Sequence, residues 1–230
     1  MKKPGKYKIA ILIPYYNAQD YLPPLIAEIV SLHPEIPIVL VDDGSTDQTA
    51  DLLARAGFQH LHPVHHSSNQ GKGASLKTGI RYISEYFPGH AIITMDADGQ
   101  HPARRLQDFI DHHVSFPEAL IIGKRRFHPS LMPLARIISN SLSSKLLGWK
   151  LKQKIEDSQC GFRLIPPVLH LTGLQCKETG FQFETEFLLK AAQAGYPLKF
   201  TPIETIYNGS PSAIKKTNDI LTFIRLYFNV

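Results

Sequence analysis

The chain has 230 residues, of which 43% are hydrophobic and 20% charged, with 17 Pro and 15 Gly. Such a composition can bury a real core, which excludes disordered, collagen-like and low-complexity chains. A net charge of +5 and a pI near 9.1 favour anionic partners such as nucleotides, phospholipid surfaces and phosphorylated acceptors. A duplex nucleic-acid binder asks for denser Lys/Arg clusters, so no nucleic-acid partner is expected. The apolar runs fall far short of the ~20 residues that span a bilayer. The basic N-terminus runs into Pro14 without a small-residue cleavage site, so it reads as a first core strand rather than a signal peptide. Cys160 and Cys176 give neither a disulfide framework nor a zinc pattern, which suits a reducing cytoplasm.

Short β-branched runs at 8–13, 36–41, 91–95 and 119–122 are apolar on both faces, as strands inside a parallel sheet are, and a weaker strand is expected near 58–64. Between them lie helical faces: Leu22, Leu25, Ile26, Ile29 and Val30; then Leu76, Ile80 and Ile83; then Leu106, Phe109 and Ile110. Ser45 and Gln48 have capping-box spacing ahead of Leu52 and Leu53. After about residue 125 the pattern changes. A helix is expected over 131–151 after Pro133, then a polar segment at 154–163, a helix over 181–194, a strand at 198–207 and a closing helix from about 212 to 229. The alternation predicts an α/β fold with right-handed crossovers in one domain spanning 1–230.

In an open parallel sheet, ligands bind at the carboxyl ends of the strands. Those ends read Pro14-Tyr15-Tyr16-Asn17, Asp42-Asp43-Gly44-Ser45, Asp96-Ala97-Asp98-Gly99-Gln100-His101-Pro102 and Gly123-Lys124-Arg125-Arg126. Carboxylates at i and i+2, as in Asp96 and Asp98, can address one divalent cation, and Mg²⁺ takes one or two carboxylates plus phosphate oxygens. Such a cation neutralises a leaving diphosphate. The ordinary alternative is an acidic turn ahead of a helix opened by Pro102. One of Asp42 and Asp43 can accept hydrogen bonds from a base or ribose, or both can serve the Gly44-Ser45 turn. Asn69-Gln70-Gly71-Lys72-Gly73 can bring N–H groups and a Lys to an anion, although it is no P-loop. His60, His62, His65 and His66 read as solvated surface histidines rather than a metal tract, and His112-His113 as partners of a helix dipole.

IPYYN at 13–17, VDDGSTD at 41–47, NQGKGAS at 69–75, MDADGQHP at 95–102, GKRR at 123–126, EDSQCGFR at 156–163, FQFETEFLLKAAQAGY at 181–196 and TIYNGSPS at 205–212 occur in order across nearly the whole chain. Together they resemble the family 2 glycosyltransferases of GT-A fold, and within them the dolichyl- or polyprenyl-phosphate sugar synthases. The resemblance implies a mostly parallel central sheet flanked by helices, with a nucleotide-sugar-binding half (about 1–125) and an acceptor-binding half (about 126–230). It implies that Pro14, Tyr16, Asp43, Lys72, Asp96, Ala97 and Arg125 bind the nucleotide sugar, a GDP- or UDP-sugar. Asp96, Asp98 and Gln100 would hold Mg²⁺ or Mn²⁺. Asp157 would lie near sugar and acceptor as the candidate base, with Asp98 the second catalytic carboxylate. Inversion at the anomeric carbon and a lipid-phosphate or other membrane-derived acceptor are implied with them. Ala18 stands where these synthases commonly carry an acidic residue.

A sugar-phosphate nucleotidyltransferase would want a Gly-rich loop after the first strand, and a non-catalytic nucleotide-sugar-binding protein would not need Asp96, Asp98 and Gln100 intact. Two apolar faces are candidates for membrane contact. One runs through Leu134, Ile137, Ile138, Leu142 and Leu146 with Arg136 and Lys145. The other runs from Ile214 through Ile220, Phe223, Ile224 and Tyr227 with Lys215, Lys216 and Arg225. Either the two helices cover the sheet, or one lies on anionic lipid. The expected location is the cytoplasm, with peripheral contact on the cytoplasmic face of the inner membrane as the second possibility.

Overall fold

Every residue of strand β1 (Ile9–Tyr15) is buried, which requires a partner strand on each edge and helices on both faces. The computed structural model describes residues 7–206 and 216–229. With β2 (Ile38–Asp42), β3 (Leu61–His65), β4 (Ala91–Thr94), β5 (Leu120–Arg125), β6 (Arg163–Ile165) and β7 (Leu198–Ile203), β1 forms a seven-stranded sheet in the order β3-β2-β1-β4-β6-β5-β7. β6 runs antiparallel to both neighbours, and the other pairings are parallel. The expected α/β architecture is therefore present.

The helices are α1 (Leu22–Leu32), α2 (Thr49–Ala56), α3 (Lys72–Tyr86), α4 (Leu106–Ser115), α5 (Leu134–Leu151), α6 (His170–Leu174), α7 (Phe183–Gln193) and α8 (Lys216–Asn229). The predicted faces of α1, α3 and α4 enter the core. Leu22, Ile26 and Ile29, then Ile80 and Ile83, then Leu106 and Phe109 have no more than trace exposure. Each such side chain contributes about 1.5–3 kcal/mol of burial. Pro14 lies inside β1, opposite Val41 of β2, but pairing with β4 has ended at Leu12, so its missing N–H breaks no ladder.

Several local expectations are corrected. The third strand begins at Leu61 rather than 58. The capping box does not form, because Ser45 Oγ accepts from the Asn17 N–H at 3.0 Å. Asp47 instead holds the first turn of α2, accepting from the Thr49 N–H at 3.1 Å and its hydroxyl at 2.6 Å. The end of segment 154–163 begins β6, whose three residues are too few to show a period. His112 pairs with Thr201 of β7 at 2.6 Å, and burial lowers the His113 pKa, so His113 is not a charged dipole partner. Of the expected closing helix, 212–215 lie outside the described residues, as do Ile214 and Lys215 of the second membrane candidate.

Candidate active site

Parallel pairing brings the carboxyl ends of β1, β2, β3, β4 and β5 to one edge of the sheet. Because β6 is antiparallel, its preceding segment, Glu156 to Phe162, arrives at that same edge. Thr94 at the end of β4 fastens this segment by donating its hydroxyl to the Gly161 carbonyl at 2.7 Å. A Cβ at Gly161 would fall 2.7 Å from Asp96 Oδ1 and 2.9 Å from Glu184 Oε1. Only glycine lets that backbone approach the two carboxylates.

Asp96 follows β4, and its Oδ1 lies 2.6 Å from Lys72 Nζ. Lys72, at the start of α3, also reaches Glu184 Oε1 of α7 at 3.2 Å. Burial pushes the Lys72 pKa down, but Asp96 and Glu184 outweigh it and hold the ammonium well above its ordinary range. For Asp96, burial is likewise outweighed, above all by the charge of Lys72 and its hydrogen bond, and its pKa falls far below the carboxylate range. Asp98 behaves in the opposite way. Burial and the neighbouring charge of Asp96 raise its pKa, although its Oδ1 accepts from the Gln100 N–H at 2.9 Å. Two carboxylates of one turn thus repel each other despite Lys72.

His101 supports this turn from beneath. Its Nδ1 accepts from the Asp96 N–H at 2.9 Å, and its ring stacks on Phe162, which stacks on Phe109. Burial lowers its pKa, so the ring is neutral with its proton on Nε2, 3.8 Å from Asp96 Oδ2.

Arg125 closes β5 on the other side. Its Nε donates to Asp157 Oδ2 at 2.8 Å and its Nη2 to Oδ1 at 3.0 Å. The Arg125 and Gln159 N–H groups also donate to this carboxylate, which has 0% exposure. Asp157, expected as a proton acceptor, is therefore enclosed and committed to Arg125. Its neighbour Glu156 is paired with Lys124 and Lys154.

On the β1–β2 side, Asp43 is buried and both its oxygens are engaged. It accepts from the Gln70 N–H at 3.0 Å and the Gly71 N–H at 2.8 Å, and His66 Nδ1 lies 2.8 Å from Oδ1. Burial pushes the Asp43 pKa up, but the bonds from Gln70, His66 and Gly71 bring it down overall. Asp42 accepts from the Ser45 N–H at 2.9 Å and lies 3.2 Å from His65 Nδ1. His66 is thus not a solvated surface histidine: its second nitrogen meets Thr78 of α3 at 3.0 Å. Gly71 has φ +97° and a Cβ there would meet the Thr179 carbonyl at 2.6 Å. This places Lys72 against α7. Asn17, with φ 50°, accepts from the Thr46 N–H at 2.8 Å and ties the acidic loop to the end of β1. Pro14 is buried beneath the edge, the Tyr16 ring is exposed above it, and Ala97 and Gln100 are half-buried in the turn after β4.

The structure therefore gathers Asp96, Asp98, Gln100, Lys72, Arg125 and Asp157 at one edge, with Pro14, Tyr16 and Asp43 on the β1–β2 side. His101, Glu184 and Arg163 were not singled out by sequence, and His66 was read only as a solvated surface histidine. Arg163 is buried and donates to the carbonyls of Ser158, Cys160 and Glu184 at 2.7–2.9 Å, pinning the Glu156–Phe162 segment to α7. His101, Glu184 and Arg163 do lie within the quoted motifs.

The chain matches the family described as Glycosyl transferase family 2 over residues 10–166. It is 28% identical over 202 residues to the polyprenol monophosphomannose synthase of Mycolicibacterium smegmatis, covering 84% of this chain and 75% of that one. It is 36% identical over 106 residues to an undecaprenyl-phosphate 4-deoxy-4-formamido-L-arabinose transferase of Salmonella paratyphi A, covering 43% of this chain and 31% of that one. Among solved structures, glucosyl-3-phosphoglycerate synthase of Mycobacterium tuberculosis in complex with uridine diphosphate superposes with a TM-score of 0.71. The identity there is 14%, with 96% of this chain and 80% of that chain covered. The same synthase with Mn²⁺, UDP-glucose and phosphoglyceric acid gives 0.70 at 16% identity, covering 96% and 79%. The sheet is that of the GT-A fold, and with the family match spanning most of the described core, the chain belongs to glycosyltransferase family 2 and is a glycosyltransferase.

Proposed function

We propose that this glycosyltransferase moves a sugar from a GDP- or UDP-sugar to a lipid phosphate or another membrane-derived acceptor, with inversion at the anomeric carbon and with Mg²⁺ or Mn²⁺. The observation that carries the reading is the Asp96–Asp98 pair, two carboxylates of one turn at the sheet edge, with Lys72 Nζ 2.6 Å from Asp96 and the Gln100 N–H donating to Asp98. A pair in that condition fits a divalent cation. Among the described residues no three His, Cys, Asp or Glu side chains form a metal cage, so the donor set suits a cation that completes its shell with substrate oxygens. Asp96, Asp98 and Gln100 would hold it, and its chemistry would be to neutralise the leaving diphosphate.

The chain's own groups supply the rest. Arg125, fixed in one plane by Asp157, offers its remaining N–H groups to the donor phosphates, as a forked guanidinium suits. Lys72 adds positive charge beside Asp96. The exposed ring of Tyr16 offers a face to the nucleobase above Pro14, and Ala97 leaves room between the two carboxylates of the turn. Asp43 acts on the nucleotide through the loop it holds. In this reading Asp157 is a positioning residue and takes no proton. A phosphate acceptor needs no base, because its oxygen is already anionic at neutral pH, with a second pKa of about 6. The polyprenol and undecaprenyl-phosphate enzymes among the relatives support that acceptor class. The whole chain then acts as one transferase domain at the cytoplasmic side of a membrane, the first half meeting the donor and the second the acceptor. A thermal-shift screen of GDP- and UDP-sugars with and without Mn²⁺ tests the donor. Stabilisation by mass action that needs the cation is expected, and the same shift in chelator would contradict the reading.

A further inference from the structure

Helix α5 is amphipathic in the wrong sense for a helix that only covers a sheet. Its buried residues are Ser143, Ser144 and Leu147. The two serines pack on the Glu156–Phe162 segment, where Ser144 Oγ lies 3.1 Å from Ser158 Oγ and accepts the Ser158 N–H at 3.0 Å. Leu147 is buried with the serines, but the most exposed apolar side chains point away from them. Leu134 is 61% exposed, Ile138 58%, Leu142 56% and Trp149 78%. At 3.6 residues per turn, these four and Lys145 fall within a sector of about 80°, opposite the serines. At the far end of the helix, Lys150 donates to the Tyr227 carbonyl and lies over the Tyr227 ring. This joins α5 to the end of α8, where Ile224 and Phe228 are also exposed.

Single exposed apolar residues need no explanation, but an aligned stripe rimmed by charge does. The charge here has one sign. From residue 126 to 155 the sequence holds six Lys/Arg and no Asp or Glu; exposed Lys145 lies within the stripe, and exposed Lys152 follows its end. No helix among the described residues is long and apolar enough to cross a membrane. An apolar stripe with a tryptophan and basic flanks suits a helix lying in the plane of a lipid headgroup layer.

We propose that the Leu134–Trp149 face of α5 docks the protein on an anionic bilayer. This deepens the acceptor reading by naming the surface that meets the lipid. It rests on that reading only for its purpose, since docking needs the face alone. The site lies close by: α5 begins nine residues after Arg125, and its buried face holds the segment that carries Asp157. A docked α5 therefore keeps the acceptor side of the sheet edge near the headgroups.

Trp149 is the only tryptophan of the chain, so the intrinsic fluorescence of the intact protein reports on α5 directly. With vesicles of phosphatidylcholine containing phosphatidylglycerol at low salt, the emission should move to shorter wavelength and be quenched by brominated lipid. Vesicles of phosphatidylcholine alone should give little change, and raised salt should weaken the effect, since exposed charges are screened within about 8 Å at physiological ionic strength. The double variant Ile138→Glu/Leu142→Glu alters only exposed positions, and should bind the anionic vesicles on the order of a hundredfold more weakly. Its thermal midpoint and its donor-induced thermal shift should stay those of the wild type. Unchanged Trp149 emission on the anionic vesicles at low salt overturns the proposal. So does a lipid-independent dimer that buries Trp149, which would make a second copy the occupant. Docking without sugar transfer to vesicle-borne polyprenyl phosphate refutes the acceptor and leaves the docking face standing. Transfer to detergent-dispersed polyprenyl phosphate without docking refutes the face alone.

Discussion

Asp157 grips Arg125 through two parallel bonds of 2.8 and 3.0 Å while shut off from solvent. A carboxylate so enclosed presents a guanidinium. If it is a positioning residue, Asp157→Asn should raise the donor KM and lower thermal stability while leaving the shape of the pH–rate profile unchanged. Breaking a buried pair leaves Arg125 uncompensated, at a cost on the order of 3 kcal/mol. Loss of a basic limb from the pH profile, with KM and stability intact, would restore Asp157 as a general base.

In the proposed function, Lys72 and a divalent cation would compete for Asp96. Lys72→Met removes the ammonium that now neutralises Asp96 and Glu184. The variant should therefore melt lower without metal, and Mn²⁺ alone should raise its midpoint more than that of the wild type. Asp98→Asn should abolish the Mn²⁺-dependent shift with little loss of fold, since Asp98 follows a strand rather than filling the core. An equal Mn²⁺ shift in all three proteins would refute the assignment.

Asp43 holds a loop, so its removal should be felt in stability as well as in binding. Asp43→Ala leaves the Gln70 and Gly71 N–H groups without their acceptor, and a hydrogen bond to a charged group contributes about 1.5–3 kcal/mol. Chemical denaturation should register this loss, and nucleotide titration a weaker affinity. Full stability with selective loss of nucleotide binding would show direct contact with the base instead.

Acid should weaken the fold before its carboxylates titrate. Burial lowers the His170 pKa from 6.5 to about 4, where its Nδ1 faces the Ser84 hydroxyl at 3.0 Å. Below pH 6.5 the unfolded chain takes a proton that the folded chain refuses until about pH 4. This contribution is complete above 6.5 and is lost as pH falls through that window, on the order of 3 kcal/mol in all. Half-buried His33, His62 and His113 act in the same direction. The wild type should lose more unfolding free energy between pH 7 and 4 than His170→Gln does; parallel curves would contradict the account.

The parallel half of the fold was legible because its strands are continuous apolar runs and its helices repeat with a helical period. The end of β1, the Asp96–Asp98 turn and the Arg125 end of β5 were readable as site because a parallel sheet sends all such ends to one edge. β6 was not readable, since three residues carry no periodicity, and with it went the route by which Asp157 is buried rather than exposed. Glu184 and His66 were missed for a related reason. Each is a polar residue at a position that periodicity assigns to solvent, and only tertiary contact with Lys72 or Asp43 reveals its task. The face of α5 was legible as apolar, but its outward direction was not, because that depends on Ser143 and Ser144 finding Ser158.

Cation-dependent transfer to a phosphate is open to direct measurement. The direct measurement incubates the intact protein with labelled GDP- and UDP-sugars, vesicle-borne polyprenyl phosphate or the matching polyprenol, and either Mn²⁺ or chelator. The account predicts a glycosylated lipid phosphate, inverted at the anomeric carbon, formed with the cation and lost in chelator and in Asp98→Asn, with no transfer to the free alcohol. Equal transfer in chelator, or transfer to the alcohol in place of the phosphate, would contradict it.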